Sequence, residues 1–441
     1  MATETLAAPY PARWLAWYAT VLLAVLYWLS ILDRFIISLL VDPIKRDLGI
    51  SDLQFGMLHG FAFAGTFALF GLALGTLADR VSRRWVIFAG VSVWSLATAA
   101  CGFAQSFWHL MLARVGVGAG EATLNPCATS MLTDLFPRER LSFAMAIYAM
   151  GSTIGGGTAY LIGGAIADLT AHSDVFRLPL LGEVRSWQAV FLLVGIPGGL
   201  ISLAIFTVPE PVRRGLREHT TWSSSYGEMW RFIRSRPTFF FCHYVGFALS
   251  LIVVTGGGSW YPMHMKRAFG WTPGQIGLYL GLTVITAAIV GKSIAGRVMD
   301  RMYARGYRDA QLRWYLGALL AAVPTGWFAF HSTNPWACLA GLGLYSALLQ
   351  PYPVCAFTSL NLVTPAHLRG TGVAFFGATA GLVGAGLGPI LVPAAARLLS
   401  PSADGLGTGL ATVAAIGCPL AAIALGFGLK SMREAVAAAE I

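Results

Sequence analysis

Charge is what this chain has least of. Asp, Glu, Lys and Arg make up 11% of its 441 residues, against about a quarter in ordinary soluble proteins. So few charges cannot cover the surface of a water-soluble chain this long. The other composition values agree: 56% of residues are hydrophobic and the mean hydropathy is +0.67. Disorder, coiled coil and an ordinary cytosolic enzyme are excluded. Paired cysteines are also missing. Cys101, Cys127, Cys242, Cys338, Cys355 and Cys418 lie scattered in apolar stretches. None forms C-x-x-C or sits at metal spacing from a histidine, so no disulfide framework and no metal site is expected. There is no G-x-x-x-x-G-K-[ST] and no nucleophile–base grouping. No cofactor and no enzymatic chemistry is expected.

What is present is glycine, 51 residues of it, a level usual for packed membrane helices. Apolar runs of about 20 residues, the length of a membrane span, recur along the chain. Twelve are expected, centred near Leu26, Thr66, Val93, Ala119, Ile154, Ile196, Leu249, Thr283, Ala321, Gly343, Ala380 and Val413. The first reads as a retained span, since no basic n-region or cleavage site precedes it. The net charge of +10 does not indicate nucleic-acid binding. Most Lys and Arg fall in loops on one side, which is the positive-inside pattern. Both termini and those loops are expected in the cytoplasm, and a bacterial inner membrane is the expected location.

The connections read as short except Pro211 to Pro237. That stretch carries Arg213, Arg214, Arg217, Arg231, Arg234 and Arg236, interleaved with Trp222, Tyr226, Trp230 and Phe232. It suits a basic cytoplasmic linker lying at the membrane interface. The expected organisation is an all-α membrane protein of twelve helices: a six-helix half at 1–210, a linker at 211–238 and a second six-helix half at 239–441. A repeat supports the division. Gly75-Thr-Leu-Ala-Asp79-Arg80 follows the second span, and Gly296-Arg-Val-Met-Asp300-Arg301 follows the eighth, half a chain later. Two six-span halves related by an axis along the membrane normal are one known transporter plan.

The segment Gly75-x-Leu77-Ala78-Asp79-Arg80-x-x-Arg83-Arg84 resembles the major facilitator signature between spans 2 and 3, with Ser82 where that family has glycine. Further matches are Asp33-Arg34 in span 1, Arg114-x-x-x-Gly118-x-Gly120-Glu121-Ala122 in span 4, Phe136-Pro137-x-x-x-Leu141 before span 5, and Glu210-Pro211-x-Arg213-x-Gly215 after span 6. Together they resemble the spinster-type branch, the lysolipid and sphingosine-1-phosphate transporters. Phthalate- and hexuronate-type organic-anion symporters share part of the span 1 pattern. The resemblance implies secondary transport by alternating access, with an amphiphilic lipid as substrate, protons as the driving ion, surrounding membrane lipids and a monomeric carrier. A symporter of small organic anions and an uncoupled facilitator are the alternatives. Gly75, Asp79, Arg80, Arg83 and Arg84, with Gly296, Asp300 and Arg301, would then hold one closed side of the carrier.

Four charges fall inside spans 1 and 4. At 1.5 Å per residue, Asp33 lies about 12 Å below the outer end of span 1, and Arg114 and Glu121 about 9 and 20 Å below that of span 4. Arg114 and Glu121 are seven apart, on one helical face. Charges inside a membrane default to function. Burial raises the pKa of a carboxylate and a nearby arginine lowers it. Asp33, then Glu121, is therefore the candidate proton-coupling group. Arg34 and Arg114 are candidate switchable partners or headgroup ligands. A static salt-bridge cluster is the plain alternative.

Weaker signals accompany these. His59 and His243 are expected to pack and hydrogen-bond. Lys292 either snorkels to the cytoplasmic surface or meets a substrate headgroup. Gly256, Gly257 and Gly258 in span 7 read as a helix breaker, serving as a hinge or as a close-packing site. Span 5 has the glycines of an exchanger motif but Gly156 where that motif has proline, which weakens an antiporter reading.

Overall fold

The computed structural model describes residues 10–171, 175–178, 182–213, 222–365, 368–400 and 405–439. Side chains within these residues are described except at 72–80, 138–139, 142, 169–171, 175–178, 182, 222–225 and 439.

Helices dominate, and they group into rods that contain all the expected span centres. Span 1 is Arg13–Ile36, tightened at its end by a 3-10 turn, Ile37–Leu39. A short helix, Val41–Leu48, follows. Span 2 is Asp52–His59 and Phe61–Arg80, and span 3 is Arg83–Cys101. Span 4 is Phe107–Glu121 and Leu124–Leu135, span 5 Arg138–Ala171, and span 6 Ser186–Ser202 with Leu203–Thr207. A linker helix, Trp222–Ser235, precedes span 7, Pro237–Phe269. Spans 8 and 9 are Pro273–Ala304 and Ala310–His331. Span 10 is Pro335–Leu349 and Tyr352–Val363. Span 11 is Arg369–Ala380, a π-helical turn Gly381–Ala385, and Gly386–Leu399. Span 12 is Leu406–Ala439. Among the described residues, eight helices are long and apolar enough to cross a membrane. The chain is an integral, multi-pass membrane protein.

Local chemistry sets the helix ends. Ser51 and Thr272 each close a capping box with Gln54 and Gln275, satisfying first-turn N–H groups. Asn334 caps span 10 ahead of Pro335 at its first position. Gly270 ends span 7 at φ 69°, a left-handed cap that a β-carbon would strain. Spans 4 and 10 break at matching places, after Glu121 and after Leu349. Pro126 and Pro351 follow these breaks. Each removes a helical N–H and crowds the carbonyl four residues back, which ends the first segment of its span.

One connection departs from the expected pattern. Spans 5 and 6 are joined by an antiparallel hairpin, Val175–Leu178 paired with Gly182–Arg185. It is tied down through Asp47, which accepts from Trp187 Nε1 at 2.6 Å and pairs with Arg185 at 3.0 Å.

The halves meet most closely at the face away from the Arg83–Arg84 turn, hereafter the far face. A β-carbon on Gly56 or Gly60 of span 2 would sit 2.4 or 2.5 Å from the carbonyls of Pro389 or Gly386 in span 11. Only glycine allows that approach. Gly164 and Gly277 do the same for spans 5 and 8. One apolar cluster runs through this face and joins the halves by way of Ile36, Leu58, Tyr160, Trp260 and Ile276. The rest of the first half has its own cluster, around Leu23, Ile87, Val117 and Leu132.

Candidate functional site

The four span charges converge. Asp33 and Arg34 come from span 1, Arg114 and Glu121 from span 4. Asp33, Arg114 and Glu121 are buried, at 2%, 0% and 1% exposure. That depth matters because an ion without a partner there is costly. Arg34 Nη2 donates to Glu121 Oε2 at 2.7 Å, and Ser30 Oγ donates to the same oxygen at 2.7 Å. The other two charges are not paired this way. Asp33 Oδ2 accepts from the Thr98 hydroxyl of span 3, while its Oδ1 has no hydrogen-bond partner. All three guanidinium nitrogens of Arg114 also lack a hydrogen-bond partner. Phe63 of span 2 lies between the two arginines, 4.4 Å from the Arg34 guanidinium carbon and 5.5 Å from that of Arg114. An aromatic face stabilises both cations. Among the described residues the cluster thus holds one closed ion pair, one unpaired acid and one unpaired cation.

His59 packs between Phe35 and Phe55, with ring centroids 6.4 Å away on each side. Its Nδ1 has no hydrogen-bond partner, and the packing half of the expectation is met. His243 packs and bonds, its Nε2 lying 2.9 Å from Ser359 Oγ and 3.0 Å from the Ala356 carbonyl.

Beside the cluster, between the halves, is a cavity of about 260 Å³. Spans 1, 5, 7, 8 and 10 wall it. Tyr27, Phe35, Tyr160 and Tyr261 supply aromatic surface, and Gln350 and Thr153 supply polar groups. Arg34 and Arg114 are not among its lining residues. Lys292 is, and its Nζ donates to Thr153 Oγ1 of span 5 at 3.2 Å. Snorkelling to a membrane surface is corrected here: the ammonium crosses to the opposite half instead. The sequence left both directions open because span 8 is apolar on most sides, so hydropathy does not mark an inner face.

Span 7 runs unbroken through Gly256, Gly257 and Gly258, against the expected helix break. The triplet makes room. A β-carbon on Gly256 would meet the Gly388 carbonyl at 2.8 Å, and one on Gly257 the Tyr261 hydroxyl at 2.1 Å. The Gly258 carbonyl accepts from Tyr160 Oη at 2.5 Å, across the two halves.

At the other face, Gly75, Asp79 and Arg80 lie outside the described side chains. Arg83 is buried rather than a surface anchor. It reaches Asp134 Oδ2 at 2.5 Å, Glu210 Oε1 at 2.8 Å and the Pro211 carbonyl at 3.0 Å. Ser82 Oγ and the Arg84 amide also donate to Glu210. Burial pushes the Glu210 carboxyl up, but Arg83, Ser82 and the Arg84 amide outweigh it and hold it below its ordinary value. These contacts bind spans 3, 4 and 6 of one half. Gly296, Asp300 and Arg301 sit in the open, with Asp300 and Arg301 exposed. The buried acid of that end in the second half is Asp309, paired with Arg313 at 3.0 Å and Arg433 at 2.6 Å. Replacing Arg83 with alanine removes the buried guanidinium that Asp134, Glu210 and the Pro211 carbonyl share, at a cost of a few kcal/mol. A thermal melt of the purified variant in detergent should fall well below wild type. An unchanged melt would show the tie to be inert.

A halved helical membrane protein with charges in its first half and an inter-half cavity is the layout of a membrane carrier. Comparison with known proteins gives the family. The profile of the Major Facilitator Superfamily matches residues 23–389, and the chain belongs to that superfamily. It is a transporter of small molecules, not an enzyme. Within the superfamily it is 28% identical over 384 residues to an MFS-type efflux pump of Mycolicibacterium smegmatis, covering 84% of this chain and 82% of the pump. It is 25% identical over 307 residues to protein spinster homolog 1 of Homo sapiens, covering 64% of this chain and 55% of that protein. A crystal structure of a bacterial homolog to the human lysosomal transporter Spinster, inward-facing and unoccupied, superposes with a TM-score of 0.76 at 25% identity over 98% of both chains.

Proposed function

We propose that this protein is a proton-coupled, alternating-access carrier of an amphiphilic lipid such as a lysolipid or sphingoid phosphate. The observation that carries this is the partly paired charge cluster beside an aromatic-walled cavity. Asp33 and Glu121 are the titrating groups, and Arg34 and Arg114 their exchangeable partners. In this conformation Arg34 serves Glu121, while Asp33 and Arg114 await a partner. A buried charge without a partner is costly, and a charge inside a membrane defaults to function. The Arg83–Arg84 face is cytoplasmic, following the positive-inside pattern, and the carrier is closed on the opposite side. The likeness to inward-facing spinster structures supports that assignment. The carrier works as a monomer, since the two halves of one chain supply the walls of the cavity, and its proposed location is a bacterial inner membrane.

The substrate class is tested by competition in proteoliposomes, with a labelled lysolipid challenged by unlabelled lysolipid or by a short carboxylate. Competition by the lysolipid alone is expected. Competition by the carboxylate alone would make this a small-anion symporter.

The Gly256–Gly258 triplet is the bending point of span 7 in this reading. Gly257→Ala places a methyl where the Tyr261 hydroxyl lies, so the ring must move within the cavity wall. Transport is expected to slow several-fold while yield and helix content stay normal. Uptake at the wild-type rate would reduce the triplet to packing.

A further inference from the structure

Among the described residues that line the cavity, Lys292 alone carries a full charge. It is half-buried, at the middle of span 8, and its recorded polar contact is the neutral Thr153 hydroxyl. Among the described residues no carboxylate lies in ion-pair range of it. An ammonium held inside a membrane protein without a counter-ion is expensive, and the cavity is the direction from which an anion can reach it. Hydrogen-bonding groups line the same cavity from both halves: Thr153 and Ser152 from span 5, Ser346 and Gln350 from span 10. Tyr27, Phe35, Tyr160 and Tyr261 offer aromatic surface around them. Arg34 is occupied by Glu121 and Arg114 is sealed at 0% exposure, so neither arginine competes for the anion in this conformation.

We propose that Lys292 is the headgroup-recognition residue of the carrier, binding the anionic head of an amphiphile, phosphate or carboxylate, within the central cavity while the apolar part lies along the aromatic walls. This rests on the reading that the cavity is the substrate pathway. A volume of about 260 Å³ is just below the usual ligand-pocket range of about 300–1,000 Å³. It accommodates a head and the first part of a tail, with a long tail continuing beyond the lining residues. Lysine suits this task because its compact ammonium offers three rotatable donors and does not demand the planar fork that arginine does.

The test uses purified full-length protein in a neutral detergent and three ligands of one chain length: a lysophosphatidate, a fatty acid and a monoacylglycerol. Lys292→Gln is expected to weaken binding of an anionic ligand by roughly ten- to a hundredfold, the scale of a hydrogen bond to a charged group. Binding of the neutral monoacylglycerol should be unchanged, and Lys292→Arg should recover most of the anion affinity. The anion that loses more identifies the head. Unchanged anion affinity in Lys292→Gln would overturn the proposal. So would an equal loss for all three ligands, which marks a packing role, or a wild type that binds the anions no better than the neutral lipid. Retained monoacylglycerol binding shows that the variant is folded. If wild type binds the anion through Lys292 but does not move it across proteoliposomes, the contact stands and the transport substrate is what fails.

Discussion

Asp33→Asn is expected to abolish substrate movement driven by a pH gradient while leaving protein yield and equilibrium substrate binding near wild type. Asparagine keeps the shape of the side chain and its acceptor toward Thr98, but it cannot titrate. Asp33 is buried, bonded to a neutral hydroxyl through one oxygen and unsatisfied at the other, and it feels the charges of Glu121, Arg114 and Arg34. A carboxylate in that position can exist ionised beside an arginine or neutral without one. Converting between those conditions as the halves rock is what couples a proton to the cycle. Flux in proteoliposomes with and without an imposed gradient reads the effect. Full gradient stimulation in the variant would move the coupling role to Glu121.

Arg267→Ala is expected to shift the carrier toward the state open at the far face. Arg267 ends span 7 in the second half and clasps two acids of the first. It holds Asp52 through both terminal nitrogens at 2.9 and 3.0 Å, and Asp42 at 3.2 Å. Lys266 adds a bond to Asp42 at 2.9 Å, and Lys45 one to Asp52 at 2.6 Å. A bidentate pair at a half-exposed site contributes about 1–2 kcal/mol after solvent screening. Losing it changes the ratio of the two states roughly five- to thirtyfold. Distances between spin labels on the tips of spans 2 and 11 at that face should lengthen. Unchanged distances would show that glycine-mediated packing alone keeps the face shut.

The clasp also has a pH signature. Burial pushes the Asp42 carboxyl up, but the hydrogen bond and charge of Lys266, and then Arg267, outweigh it and hold the carboxyl below its ordinary value. A lowered folded-state pKa gives stability that is present above the unfolded pKa and lost as pH falls through the folded one. The clasp should therefore hold across neutral pH and loosen only below about pH 4. Opening near pH 6 would assign the sensor to a different group.

The fold was legible because a membrane span announces itself by length and apolarity alone, and the two-fold repeat needed only Asp79 and Asp300 in matching places. The charged cluster was legible too, since Asp33, Arg34, Arg114 and Glu121 are conspicuous inside apolar runs and the helical rise gives their depth. Which of them pair was not. Arg34 with Glu121, and not Asp33 with an arginine, depends on rotamers and on Phe63, a residue of ordinary appearance in span 2. The breaks in spans 4 and 10 had a signal in Pro126 and Pro351 that periodicity passes over. The far-face clasp had none, because Asp42, Asp52 and Arg267 read as separate loop charges until the fold brings them together. Asp134, the buried partner of Arg83, looks like any polar residue at a helix end. Lys292 was visible, but its direction was set by the packing of span 8 against span 5, which no local pattern encodes.

Proton coupling through the span 1 and span 4 charges is tested most directly by following both species at once. Wild-type protein in liposomes loaded with a pH-sensitive dye receives an anionic lysolipid on one side, and dye response and lipid movement are recorded together. Lipid movement accompanied by a proton signal, both accelerated by an imposed pH gradient and both lost in Asp33→Asn, is the expected result. Lipid that crosses with no proton signal and no response to the gradient would contradict it, and the cluster would then serve gating alone.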